Sequence, residues 1–319
     1  MAVTNRTEEV EYRFERFTPD QLPQLHSLHR AVFGSGSSEE KLRQKFASPV
    51  PGHAVIGYLA YAPDGTAAAY YGIFPMIVEH QGQTLIVGQS GETMTHPDHR
   101  GRGLFTKLGR RTYDAAGQEG VAFVFGFPNS NSYPGFVKYL GWTHNRTMRS
   151  YWLPVPTIPF NRLLRGRPSI ADRLDRFQKR LILALGLARP TDEIESSVLA
   201  SGQSGIKRDR AFVDHKPTIL TFEQSRATAY FRLDEHLSIG DVVAEPGAKP
   251  FGLLIRLGAI AFLTGRLRIR FHASPGTAAD RFLRGRMPVK EGLPYGHVSF
   301  DDEVDPELFD FTFIDYDTF

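Results

Sequence analysis

The sequence predicts an α/β chain of the α+β type: two similar halves in tandem, each a mixed central sheet flanked by helices, with the second half degenerate. Three observations predict it. At 319 residues the chain exceeds the roughly 100–200 residues of one domain. Runs that alternate apolar and polar, as half-buried strands do, interleave throughout with runs of helical spacing. The order of those runs in the first half then returns after Ile206, as pattern and not as sequence identity. The expected division is 1–152, a helical connection over 153–204, and 205–319.

Composition narrows the function. Hydrophobic residues at 41% and charged residues at 23% are ordinary for a globular chain and exclude a disordered or fibrous one. A net charge of +3 suits a local anion site but is too small for a nucleic-acid face with several phosphate contacts. With no cysteine, disulfides, thiolate metal sites and cysteine nucleophiles are excluded together. The amino terminus, MAVTNRTEEVEYRFER, mixes charges of both signs and lacks the apolar core of a secretory signal. The cytoplasm is the expected compartment.

In chain order, EYRFERFT over Glu11–Thr18 reads as a strand, and Thr18-Pro19-Asp20 caps a helix carrying Leu22, Leu25, Leu28, His29, Val32 and Phe33. A short helical pattern over Glu39–Phe46 follows a Gly/Ser turn. Strand-like runs at 54–62, 67–79 and 85–95, separated by Pro63-Asp64-Gly65 and His80-Gln81-Gly82, form an antiparallel meander. Then come a helix over 103–118, an apolar strand over 122–127 and a helix over 133–140. The 154–204 stretch opens with prolines and carries a basic amphipathic pattern with Leu163, Leu164, Ile170, Leu174, Phe177 and Leu181. Packing against a neighbouring domain is its expected use; contact with an anionic membrane surface is the alternative. In the second half, strands are expected at 228–233, 239–244, 266–272, 296–300 and 310–316, with helices at 251–263 and 278–286. Phe251–Thr264, the most apolar run, is interrupted by Arg256. It falls short of the roughly 20 residues of a membrane span and reads as a buried helix.

The densest chemical signal is QSGETMTHPDHRGRGLF, from Gln89 to Phe105. A strand and a proline turn lead into Arg100-Gly101-Arg102-Gly103-Leu104-Phe105 at the start of a helix. The glycines let backbone approach a ligand, the helix start aims free N–H groups and a positive dipole end at it, and the arginines add cationic donors. A pyrophosphate fits. Neither a nucleoside-triphosphate loop nor a dinucleotide fingerprint is present at the required spacing. The plain alternative is a glycine turn with solvated arginines.

This segment resembles the cofactor motif of the GNAT superfamily of N-acyltransferases, Arg/Gln-x-x-Gly-x-Gly/Ala, with Phe105 in place of the last small residue. Downstream, Asn131 and Tyr139-Leu140-Gly141-Trp142 are similar to the family's second signature. The resemblance covers 11–152 well. It implies acetyl-CoA or another acyl-CoA as co-substrate, with the main chain of Met94 and Thr95 on the pantetheine, residues 100–105 on the pyrophosphate and Asn131 near the cofactor arm. The segment FGFPNSNSYPGFVKYLGW and the chain length look most like bacterial enzymes that acylate amino sugars on nucleotide carriers for surface polysaccharide.

Acyl transfer from a thioester needs a neutral amine, a route for its proton, donors for the oxyanion and stabilisation of the leaving thiolate. An amine of pKa near 8 costs about 1.4 kcal/mol to deprotonate at pH 7, one near 10.4 roughly 4.6. Glu92, on the strand entering the loop, is the first candidate base. The carboxylate of Phe319 is the second, because the two-half branches of the superfamily use a terminal carboxylate. The family's tyrosine acid aligns with Val137, so Tyr133 or Tyr139 is the substitute, although either could be a packed aromatic. His96, His99 and His144 lack metal-site spacing, and the acidic run at 301–305 reads as a solvated turn; no metal is expected. The expected acceptor is a small amine, and the competing reading is a non-catalytic acyl-CoA sensor.

Overall fold

The computed structural model describes residues 11–34, 38–164, 166–216 and 219–319, and only the backbone of Asn161, Arg162 and Pro168. The start of the amino-terminal segment and most of the expected Gly/Ser turn at 35–37 lie outside these residues. The first half runs β1 (Arg13–Arg16), α1 (Leu22–Phe33), α2 (Glu39–Phe46), β2 (Ile56–Tyr61), β3 (Ala67–His80), β4 (Gln83–Thr95), α3 (Leu104–Gln118), β5 (Phe123–Gly126), α4 (Tyr133–Leu140) and β6 (Thr143–Pro154). The connection holds α5 (Phe160–Leu163), α6 (Pro168–Ala184), β7 (Arg189–Pro190) and β8 (Gly205–Ile206). The second half runs α7 (Arg210–His215), β9 (Leu220–Gln224), β10 (Ala227–Leu233), β11 (Leu237–Ala244), α8 (Pro250–Leu263), β12 (Arg268–Ala273), α9 (Ala278–Leu283) and β13 (Val289–Ser299).

All these strands join one mixed sheet, in the order β1-β2-β3-β4-β5-β13-β6-β12-β11-β10-β9-β7, with β8 on β3. The second half therefore contributes a strand inside the first: β13 lies between β5, where His297 faces Phe125, and β6, where Val289 faces Tyr151. In the first half both faces of the sheet are covered. Leu25, Leu28, Leu42 and Phe46 of α1 and α2 bury Leu59, Tyr70 and Phe74 on one side. Leu104, Leu108 and Ala116 of α3 bury Ile56, Ala69 and Tyr71 on the other. That double cover is why β3 is buried continuously from Ala67 to Met76, each large side chain contributing about 1.5–3 kcal/mol.

Two irregularities shape the site. On β4 the pairing steps from Gly91↔Gly72 to Met94↔Tyr70, so Glu92 and Thr93 together oppose Tyr71, a β-bulge. Glu92 accordingly takes φ of +53°, a left-handed conformation uncommon for a residue with a Cβ. Strands β4 and β5 are parallel and pair only at Gly88↔Val124 and Gln89↔Phe125. Beyond Gln89 they splay, leaving the β5-facing edge of Ser90–Thr95 without a strand partner among the described residues.

The structure differs from expectation in several places. The strand expected over 310–316 is replaced by isolated bridges at Phe309 and Thr312 and one 3₁₀ turn, Phe313–Asp315, because Thr312 and Asp315 form a capping box that bends the chain. The helix expected to reach Arg286 stops at Leu283, where Arg284 is extended and Gly285 takes φ of +74°. Helix α8 buries Leu253, Leu257 and Ile260 but leaves Phe251, Ile255 and Phe262 exposed, so it is buried along one stripe only. Strands β6 and β9 were not expected, since polar residues dilute their alternation. No helix among the described residues is long and apolar enough to cross a membrane.

Candidate active site

The splay opens a groove of about 650 Å³ lined by Ser90–Thr95, Arg100, Phe105, Gly126–Asn129, Asn131, Phe136 and Trp142. Its main-chain wall is the free edge of β4, as an extended, amide-bearing ligand requires. At its mouth Gly101 and Gly103 take φ of +74° and +71°, and a Cβ on either would meet no atom within 4 Å. Gly103 caps the 15-residue α3, so the first N–H groups of that helix face open space beside exposed Arg100 and Arg102. An anion of pyrophosphate size fits there. Phe105, where the motif has a small residue, packs edge-on against Phe136 and lies against Gly135, filling the groove wall without blocking the glycine loop.

Asn131 lines the groove, but the turn is made by Asn129, whose side-chain oxygen accepts from the N–H groups of Asn131 (3.0 Å) and Ser132 (3.1 Å). Met94 is buried and its main chain pairs with Tyr70, which leaves its other edge toward the groove. Thr93 carries a buried hydroxyl without a partner in the same wall. Tyr133 does not line the groove; its ring stands edge-on to His144. Tyr139 is exposed beneath Lys138. His99 bonds Tyr12 (2.8 Å), and His96 caps the turn at Asp98.

Glu92 sits at the inner end. Its carboxylate accepts from Lys45 Nζ at 2.5 Å, and the same ammonium reaches Asp317 at 3.2 Å; His29 Nε2 stands 3.8 Å away. Burial lowers the Lys45 pKa, but Asp317 and Glu92 outweigh it, so the group lies above its usual value and stays charged. Asp317 can approach because residue 91 is glycine: a Cβ there would stand 2.7 Å from Asp317 Oδ2.

A second pocket of about 470 Å³ meets the groove at Asp317 and Thr318. Lys41, Lys45, His215, Lys216 and Arg232 line it against Asp234 and Asp317. Lys216 Nζ donates to the main-chain oxygens of Tyr316 (2.9 Å) and Phe319 (3.0 Å), and burial brings its pKa down to about 7. The Phe319 ring is packed on Phe313 and covered by Arg232. The floor includes Gln89, whose Nε2 donates to Asp315 while its Oε1 is buried without a partner. Sequence reasoning missed Lys45, Asp317, Lys216 and Gln89. The one local signal was Gly91 inside a strand pattern, which marks a bulge.

A splayed parallel pair whose groove ends on a glycine–arginine loop at a helix start can take an extended ligand with an anionic end. Residues 13–145 match the acetyltransferase (GNAT) domain, a match that lies within the first half of the chain. No curated protein matches it. Among solved structures, a probable N-acyltransferase from Enterococcus faecalis V583 aligns with a TM-score of 0.59 at 13% identity, over 91% of this chain and 73% of that one. A tandem GNAT protein from the clavulanic acid biosynthesis pathway aligns at 0.50 and 9%, over 92% and 100%. A GCN5-related glucosamine N-acetyltransferase region in a fungal multi-domain GH3 β-N-acetylglucosaminidase aligns at 0.50 and 13%, over 91% and 38%. At such identities the likeness is one of fold: a tandem, two-half GNAT architecture, as the repeated order of elements predicts.

Proposed function

We propose that the chain transfers a short acyl group, acetyl foremost, from acyl-CoA to the primary amine of a nucleotide-linked amino sugar in cytoplasmic surface-polysaccharide synthesis. The observation that carries the reading is the junction of the two cavities at Lys45, Glu92 and Asp317. One cavity suits an extended anionic cofactor. The other has more cationic than acidic walls, which suits an acceptor carrying phosphate, and its orphaned Gln89 oxygen suits a sugar hydroxyl or amine. The fungal neighbour described for glucosamine is consistent with this acceptor class.

In this reading residues 1–152 hold the cofactor and residues 205–319 shape the acceptor pocket, the 153–204 connection joining them. The main chain of Met94 and Thr95 holds the pantetheine, Arg100–Phe105 the pyrophosphate, and Asn131 borders the arm. Bound acyl-CoA supplies an activated thioester carbonyl. Glu92 takes the amine proton, and Lys45 holds that carboxylate in place. Phe319 supplies a main-chain oxygen to the pocket, and Tyr133 is left as a packing residue.

Calorimetric titration with acetyl-CoA tests it. Wild type should bind, and an Arg100→Ala, Gly103→Glu variant should lose at least tenfold; absence of wild-type binding would overturn the reading of the loop. A screen of nucleotide-linked amino sugars against their phosphate-free counterparts then tests the acceptor, with lower KM expected for the former. Val137 at the position of the family's tyrosine acid favours a second reading, an acyl-CoA sensor, which binding without turnover of any amine would support.

A further inference from the structure

Behind the groove wall runs a buried chain of polar groups that the reading above leaves unused. Trp142 Nε1 lies 2.6 Å from Tyr113 Oη, Tyr113 Oη 2.7 Å from Tyr71 Oη, and Tyr71 Oη 3.0 Å from Ser90 Oγ. Tyr71, Tyr113 and Trp142 are all buried, and Ser90 is a groove residue on the open edge of β4. Burial holds both phenols well above their ordinary pKa, so each keeps its proton.

The direction of this chain follows from one fact: an indole N–H donates and never accepts. Trp142 therefore donates to Tyr113. The Tyr113 proton has one acceptor in the chain, Tyr71 Oη. Tyr71 in turn donates to Ser90 Oγ, the other acceptor it reaches. The opposite polarity would have Tyr113 accept from both sides and leave its own buried proton without an acceptor, the costlier arrangement. Three protons are thus committed inward to outward, and that of the Ser90 hydroxyl is left over, with its oxygen already accepting. A hydroxyl that accepts one hydrogen bond donates the next more strongly.

We infer that Ser90 is a hydrogen-bond donor to the cofactor sulfur, oriented and polarised by the Trp142–Tyr113–Tyr71 chain, and that it stabilises the leaving thiolate where Val137 replaces the family's tyrosine. No proton leaves Ser90: as the carbon–sulfur bond breaks, the electron pair goes to sulfur and the serine donates a hydrogen bond to it. The amine's proton goes to the base. The inference rests on reading the groove as the thioester site. Tyr71 and Tyr113 are positioning residues, since they act through Ser90.

The test follows the thiol itself. Free coenzyme A is bound to the enzyme, and the ultraviolet absorbance of its thiolate is titrated with pH. A donor at the sulfur favours the thiolate, so the bound thiol should ionise about one pH unit lower on wild type than on Ser90→Ala, a tenfold shift in its ionisation constant. Ser90→Thr should retain the wild-type midpoint. Tyr71→Phe, which leaves Ser90 its hydroxyl but removes its donor, should fall between, with Tyr113→Phe closest to wild type. Coincident midpoints in wild type, Ser90→Ala and Tyr71→Phe would overturn the inference while leaving the groove reading intact. Failure of wild type to bind coenzyme A would overturn both.

Discussion

Asp315 and Asp317 stand two residues apart on the same closing segment, yet the networks they join behave as opposites. Asp315 pairs with Arg208 at 3.1 Å, and that guanidinium also holds Asp241 at 2.5 Å; all three side chains are at most 1% exposed. Ser197 and Thr312 complete the ring by bonding Asp241 and Arg208. Asp317 shares Lys45 with Glu92, and these three side chains are 14–24% exposed at the mouth of a pocket. The first network is sealed and holds the segment against β11. The second is open and can exchange its partners for a ligand. Burial, not the chemistry of the pair, decides between a structural pin and a cluster open to a ligand.

Breaking the sealed network should have the largest effect. Arg208→Ala strands two buried carboxylates and should cost about 3–5 kcal/mol, read as a lower urea midpoint with little change in slope. A smaller effect distinguishes the regions through pH. Each holds a histidine whose pKa is lowered to about 4 mainly by burial: His272, against Phe313 and Tyr316, and His215, beside Lys216 and Lys45. The folded state keeps them neutral while the unfolded chain protonates them near 6.5. Their contribution is therefore complete above about pH 6.5 and lost as pH falls toward 4, on the order of 2 kcal/mol for either. Thermal melts across that window should show the loss, and His272→Phe should flatten the profile. The open network should yield the smallest change in stability: Lys45→Ala should cost only about 1 kcal/mol. It should nonetheless reduce kcat with any amine acceptor by tenfold or more, and a variant that melted early but turned over normally would reverse the contrast.

The legibility of the sequence divides along similar lines. The glycine–arginine loop was readable as a candidate anion site because its glycines, arginines and helix start are contiguous. The helices of the first half and its strands through β5 were readable because helical and alternating periods persist over whole elements. The Lys45–Glu92–Asp317 cluster was not: Lys45 and Asp317 are separated by 272 positions, and neither carries a local signature. Nor was the exposed stripe of α8, since an apolar run reports hydropathy but not whether a neighbour covers each face. Asp310–Tyr316 looked like a strand because aromatics alternate there with polar residues, and it is a bend because Asp315 is held at once by Thr312 and Arg208.

The passage of β13 between β5 and β6 bears on how the chain is made. Strand β5, which borders the groove, has β4 on one side and β13 on the other, and β13 begins at Val289. During synthesis the amino-terminal half leaves the ribosome long before that strand exists, with the edge of β5 open to pairing with other chains. The first half can thus appear early in sequence and still mature late, its sheet waiting on a strand that begins only at Val289.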